Sequence, residues 1–135
     1  MPHDERFPGS PADWLRHARS DLALSRIRAT PEILLEALCF DAPQAVEKAL
    51  KAVLIAKGIA PPKTHNIRTL LDLLPSDIAL AQNLQNAASL TDYAVMSRYP
   101  AELEPVSEEE YREAVQLAEA VVTWAEGIAQ RVKTQ

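Results

Sequence analysis

Apolar residues recur every three to four positions along this chain, in runs separated by proline or glycine, which is the pattern of amphipathic helices. The first run places Trp14, Leu15, Ala18, Leu22 and Ser25 at helical spacing, with Arg16, Arg19, Arg26 and Arg28 in the remaining positions. Ser10 suits the N-cap, Pro11 the first helical position and Asp13 the first turn, so a helix is expected from Ser10 to near Arg28. A second helix opens on Thr30 and Pro31, runs to about Lys57 and stops at Gly58, which can take the left-handed C-terminal conformation. On it Ala42, Ala45, Ala49, Ala52 and Ala56 form one stripe, widened by Leu35, Val46, Leu50, Val53 and Leu54. Small side chains there let another helix cross closely. Asp41, Gln44, Glu47, Lys48 and Lys51 occupy the other side, which the pattern places outward. Pro43 removes a hydrogen bond inside this segment, so a kink near residues 39–43, or two helices in tandem, is expected.

Pro61 and Pro62 form a stiff connector to a short helix from about Asn66 to Leu74, stopped by Pro75. Ser76 and Asp77 open a fourth helix with Ile78, Leu80, Leu84, Ala87 and Ala88, reaching the Tyr93–Met96 region and ended by Pro100. Residues 101–106 read as a loop. Ser107 with Glu110 makes a capping box for the last helix. Its apolar face comprises Ala114, Ala118, Val121, Val122, Ala125, Ile128 and Ala129. No segment sustains strand alternation. The expected fold is all-α: an antiparallel up-down bundle of about five helices, one domain over residues 10–130 with flexible ends at 1–9 and 131–135.

Composition sharpens this picture. At 135 residues and 47% hydrophobic, the chain can build one core, and with 5% aromatics that core rests on Ala, Leu, Val and Ile. The net charge of −5 opposes bulk binding to nucleic acid but leaves room for a local anion site. One cysteine, Cys39, excludes an intrachain disulfide and a cysteine-based zinc site, and its apolar context suits a reduced core residue. No run approaches the ~20 residues of a membrane helix, and residues 1–9 lack an apolar signal core, so a cytoplasmic location without membrane contact is expected.

Charge is unevenly spread. Lys48, Lys51, Lys57, Lys63 and Arg68 share a stretch without a carboxylate, whereas residues 102–113 hold six glutamates and one arginine. These are either solvated faces or an anion site and a matched partner surface. Thr64, His65 and Asn66 suit helix capping. His3 and His17 share no metal-ligand spacing with His65, so no metal or other cofactor is expected. Near the end of the fourth helix, Tyr93, Arg98 and Tyr99 either pack on the bundle rim or offer a guanidinium and rings to a nucleotide.

Three separated runs resemble one family. Cys39-Phe40-Asp41-Ala42-Pro43-Gln44-Ala45-Val46-Glu47-Lys48-Ala49-Leu50-Lys51-Ala52 is similar to the second-helix signature of HEPN domains. Pro62-Lys63-Thr64-His65-Asn66-Ile67-Arg68-Thr69-Leu70 resembles the family's following Thr-His-aliphatic-Leu element, and Arg98-Tyr99-Pro100 its Arg-Tyr-Pro. The order agrees over about residues 12–128. The resemblance implies an antiparallel helical bundle, commonly a homodimer, that binds nucleotide or RNA. It also implies a minimal nucleotidyltransferase as partner, in the manner of a toxin-antitoxin pair. Some members are ribonuclease toxins whose arginine is followed a few residues later by a histidine. No arginine here has a histidine at that spacing, and Pro43 stands where the family often has glutamine. The expectation is therefore a non-catalytic HEPN module with Gln44, Lys48, Lys51, His65, Arg98 and Tyr99 along a shared polar groove. Lys48 and Arg98 would neutralise phosphate, His65 hydrogen-bond the ligand and Tyr99 stack or pack. The alternatives are a ribonuclease toxin with an altered site and a purely structural subunit.

Overall fold

The computed structural model describes residues 9–27, 35–76, 78 and 107–134. Among these it contains four helices and no strand: α1 (Pro11–Ser25), α2 (Leu35–Ala56), α3 (Ile67–Asp72) and α4 (Glu108–Thr134). The fold is all-α, as the periodicity requires. The expected fourth helix, the 101–106 loop, and the Thr30–Pro31 start of the second helix lie outside the described residues.

Local sequence sets the helix ends. Ser10 Oγ accepts from Asp13 N while Asp13 Oδ2 accepts from Ser10 N, a reciprocal capping box at 3.1 and 3.0 Å. The Ser10 backbone N–H, and after it the Ser10 hydroxyl, hold the Asp13 carboxyl below its ordinary pKa by favouring the charged form. Ser107 and Glu110 repeat the arrangement at the start of α4. At the end of α2, Gly58 takes φ +77°, Ile59 N donates to Leu54 O and Gly58 N donates to Ile55 O. Those two bonds make a Schellman motif and turn the chain toward the Pro61-Pro62 connector.

Three boundaries differ from the sequence reading. α1 ends at Ser25, with Arg26 as its C-cap, rather than near Arg28. The second segment is one helix through Pro43, not two in tandem. Pro43 is itself buried, so packing on neighbouring helices offsets its lost hydrogen bond. α4 continues to Thr134, past the expected domain end at 130.

α2 is the central element, packed against α1, α3 and α4. Its alanine stripe is closed to solvent at Ala42, Ala45, Ala49 and Ala52, together with Val46, Leu50, Val53 and Leu54. Leu15, Ala18 and Leu22 of α1 join this core, as do Ile67, Leu70 and Leu71 of α3. α4 adds Ala118, Val121, Val122, Ala125 and Ile128.

Helix direction follows from the cross-links. Arg19 pairs with Glu126 and Arg26 with Glu119, so advancing along α1 means retreating along α4. Likewise Lys48 of α2 reaches Asp21 of α1, and Lys51, further on, lies over Trp14, further back. α1 is thus antiparallel to both α2 and α4. The C-terminal end of α1 is fastened to the start of α4 by the Tyr111 hydroxyl, which donates to the Ser25 carbonyl. None of the described helices is long and apolar enough to cross a membrane.

Candidate functional site

The polar side of α2 is not a solvent-facing surface. The sequence alone places Glu47 and Lys51 outward, but the structure buries them, at 4% and 7% exposure. The cause is tertiary: α1 packs along α2 and sets Trp14 over Lys51, while the segment leading into α3 brings His65 to Glu47. A helix covered from several sides has no fully wet face, so a one-sided amphipathic reading fails there.

Burial forces these charges into partnership. Glu47 Oε2 accepts from Lys51 Nζ at 3.2 Å, one turn along the helix. Its Oε1 and Oε2 lie 2.9 and 3.1 Å from His65 Nδ1. Lys51 Nζ stands 5.4 Å from the centre of the Trp14 ring, within cation–π range. A chain of contacts therefore runs His65, Glu47, Lys51, Trp14, from the connector across α2 to α1. Among the described residues, no buried side-chain nitrogen or oxygen lacks a hydrogen-bond partner.

A turn away, Lys48 Nζ bonds Asp21 Oδ2 at 2.5 Å, both side chains half-buried. Asp41 lies close enough to feel them. Burial raises its pKa above the ordinary value, the Asp21 carboxylate raises it further, and Lys48 opposes both.

Local geometry explains the position of His65. Thr64 N donates to Pro62 O, and Thr64 Oγ1 accepts from Asn66 N. Asn66 then caps α3 by accepting from Thr69 N. Of the three residues suited to capping, Asn66 takes the role at the helix start. His65 is freed to turn its Nδ1 to Glu47 while the side chain stays 75% exposed.

Beside this network a cleft of about 300 Å³ is lined by Asp13, Trp14, His17 and Lys48. It gathers an indole, an imidazole, an ammonium and a carboxylate. A larger cleft of about 760 Å³ lies where the N-terminal end of α1 meets the C-terminal ends of α2 and α4. Pro11, Leu15, Ile55, Ala56 and Ala129 line it, with Arg19 and Glu126 among its polar groups. Those two pair with each other, and its lining is otherwise mostly apolar. No group of three metal-ligating side chains occurs among the described residues.

The family model for the HEPN domain matches residues 11–128, nearly the whole chain. The chain belongs to the HEPN family. Its fold is similar to the crystal structure of TT1696 from Thermus thermophilus, at TM-score 0.74 and 31% identity, over 87% of this chain and 97% of that one. It is also similar to ST0689, an archaeal HEPN homologue, at TM-score 0.70 and 28% identity, over 90% and 98%. A comparison with curated proteins finds no match.

Within this HEPN domain, Lys51 and His65 meet at the Glu47 carboxylate, Lys48 turns instead to Asp21 of α1, and half-buried Gln44 lies one turn before Lys48. Arg98 and Tyr99 lie outside the described residues. Trp14, His17, Asp21 and Glu47 line the smaller cleft or bond Lys48, Lys51 and His65, although sequence reasoning does not single them out as site residues. Glu47 carries a signal: it sits in the Glu-Lys pair of the second-helix motif. Trp14 and Asp21 carry none, because their relation to α2 exists only once α1 is packed.

Proposed function

We propose that this HEPN domain is a non-catalytic module that binds a nucleotide, or a short stretch of RNA, along the α1–α2 groove. The observation that carries this reading is the cleft lined by Trp14, His17 and Lys48, beside which Lys51 lies over the Trp14 ring and shares the Glu47 carboxylate with His65. An indole face can stack a base, and a lysine can neutralise phosphate. Arg98 and Tyr99 join the proposal through the family's Arg-Tyr-Pro element, Gln44 through its place beside Lys48.

Charge pairing sets the expected strength. Lys48 is held by Asp21 and Lys51 by Glu47, so a phosphate must exchange with Asp21 to reach Lys48. Part of the gain is returned in breaking that pair, and the affinity should be modest. A homodimer, or a complex with a minimal nucleotidyltransferase in a toxin-antitoxin pair, would add donors from a second chain.

ADP or ATP at millimolar concentration should raise the melting temperature of the wild type, and Lys48→Ala should reduce that shift. No shift in either protein would sink the nucleotide reading. Co-purification of the natively expressed chain, with mass analysis of what remains bound, tests the partner proposal.

A ribonuclease reading draws on one observation: a carboxylate holds one imidazole nitrogen of His65 while the ring stays exposed, an arrangement suited to acid–base chemistry. It predicts toxicity on expression that is lost in Arg98→Ala. Harmless overexpression, with no RNA cleavage by the purified protein, would count against it.

A further inference from the structure

We infer that Glu47 is a positioning residue, which fixes His65 with Nδ1–H toward the protein and Nε2 toward solvent, as the atom that meets the phosphate of the bound nucleotide. This rests on the nucleotide reading for its ligand, but not for its geometry.

A carboxylate at 4% exposure accepts hydrogen bonds and cannot donate them while ionised. Both of its oxygens lie within 3.1 Å of His65 Nδ1, so Nδ1 must carry a proton. The bond made by one ring nitrogen decides the state of the other. A neutral His65 is therefore left with a lone pair on Nε2, and a protonated one presents Nε2–H outward. The ring is mostly exposed, so Nε2 is accessible. Thr64 and Asn66, locked by their own hydrogen bonds, hold the backbone on either side.

Lys51 gives the pair a second function. Its ammonium shares Glu47 Oε2, so the carboxylate is anchored from the helix side and does not follow the imidazole if the ring moves. The charged groups facing the imidazole in these contacts are Glu47 and, through that carboxylate, Lys51. Lys63 and Arg68 flank it along the chain. A phosphate approaching from solvent meets Nε2 first. Ionised phosphate oxygens only accept, so the contact with them forms through the imidazolium, whose second charge partner, Glu47, is already in place.

The test uses the full chain and two readouts. Long-range proton–nitrogen NMR of the His65 ring, without ligand and at about pH 8, should show the Nδ1–H tautomer in the wild type. Glu47→Gln should move the ring toward the other tautomer. ADP affinity, measured by calorimetry, should fall about tenfold in His65→Gln, an exposed substitution that leaves the core intact. Glu47→Asp, which keeps the charge, should preserve more of the wild-type affinity than Glu47→Gln.

An Nε2–H tautomer in the wild type would overturn the proposal and leave nucleotide binding standing. So would ADP binding that is equally tight in His65→Gln. If neither protein binds ADP, the nucleotide reading falls and the ligand assigned to Nε2 falls with it, whereas the tautomer measurement still decides the role of Glu47.

Discussion

Neutralising Glu47 without changing its size is the sharpest test of the buried network. In Glu47→Gln, Lys51 keeps its buried ammonium but loses the carboxylate at 3.2 Å. Of the partners described, it retains the Trp14 ring at 5.4 Å, a contact that supplies about 0.5–2 kcal/mol. Removing one member of a buried pair costs about 3–5 kcal/mol, because the survivor stays desolvated. The lower end applies here, since the exposed His65 leaves water near the rim, so a loss of about 3 kcal/mol is expected. For a chain of this length that is a fall of roughly 10 °C in melting temperature. Lys51→Met should cost less, because His65 remains to bond the carboxylate. The double variant, Glu47→Gln with Lys51→Met, should come within about 1 kcal/mol of wild type, since no unpaired charge is left inside. Urea unfolding at constant m-value measures all three. Arg19→Ala is the control: its pair with Glu126 is about half exposed, and the loss should stay below about 1 kcal/mol. A Glu47→Gln protein within about 0.5 kcal/mol of wild type, or a double variant as damaged as the sum of the singles, would refute the reasoning.

Other outcomes follow from single features. Gly58→Ala should lose about 1 kcal/mol from the positive φ alone, as open space surrounds the added methyl; chemical denaturation would show it. Ser107→Ala should cost about 1 kcal/mol through the lost cap of α4, visible in the same assay. Asp41 has a raised folded-state pKa, so its stabilising contribution is complete below the ordinary value of 3.8 and is lost as pH rises through the raised one. Asp41→Asn should therefore melt higher than wild type at neutral pH, with the advantage vanishing below about pH 3.8; an equal or lower melting temperature at neutral pH would contradict this.

The positions of the helices were legible because they depend on neighbours in sequence. Ser10 with Asp13, Ser107 with Glu110 and Gly58 after the alanine stripe are all local signals, and each does what its residue type allows. The candidate site was legible only in part. Lys48, Lys51 and His65 could be named from motif and charge, but the nature of their environment could not. Pro43 shows the same divide: its cost is readable from residue type, whereas the packing that lets the helix continue is not.

Sequence by itself determined the all-helical class, the caps, the apolar stripes and the family, because periodicity and short motifs are properties of a few adjacent turns. Tertiary structure decided that Glu47 and Lys51 are buried, that His65 faces Glu47, and that Asp21 and Trp14 meet the lysines of α2. Those facts arise from which elements cover α2, and a helix cannot record in its own pattern how many neighbours will pack against it.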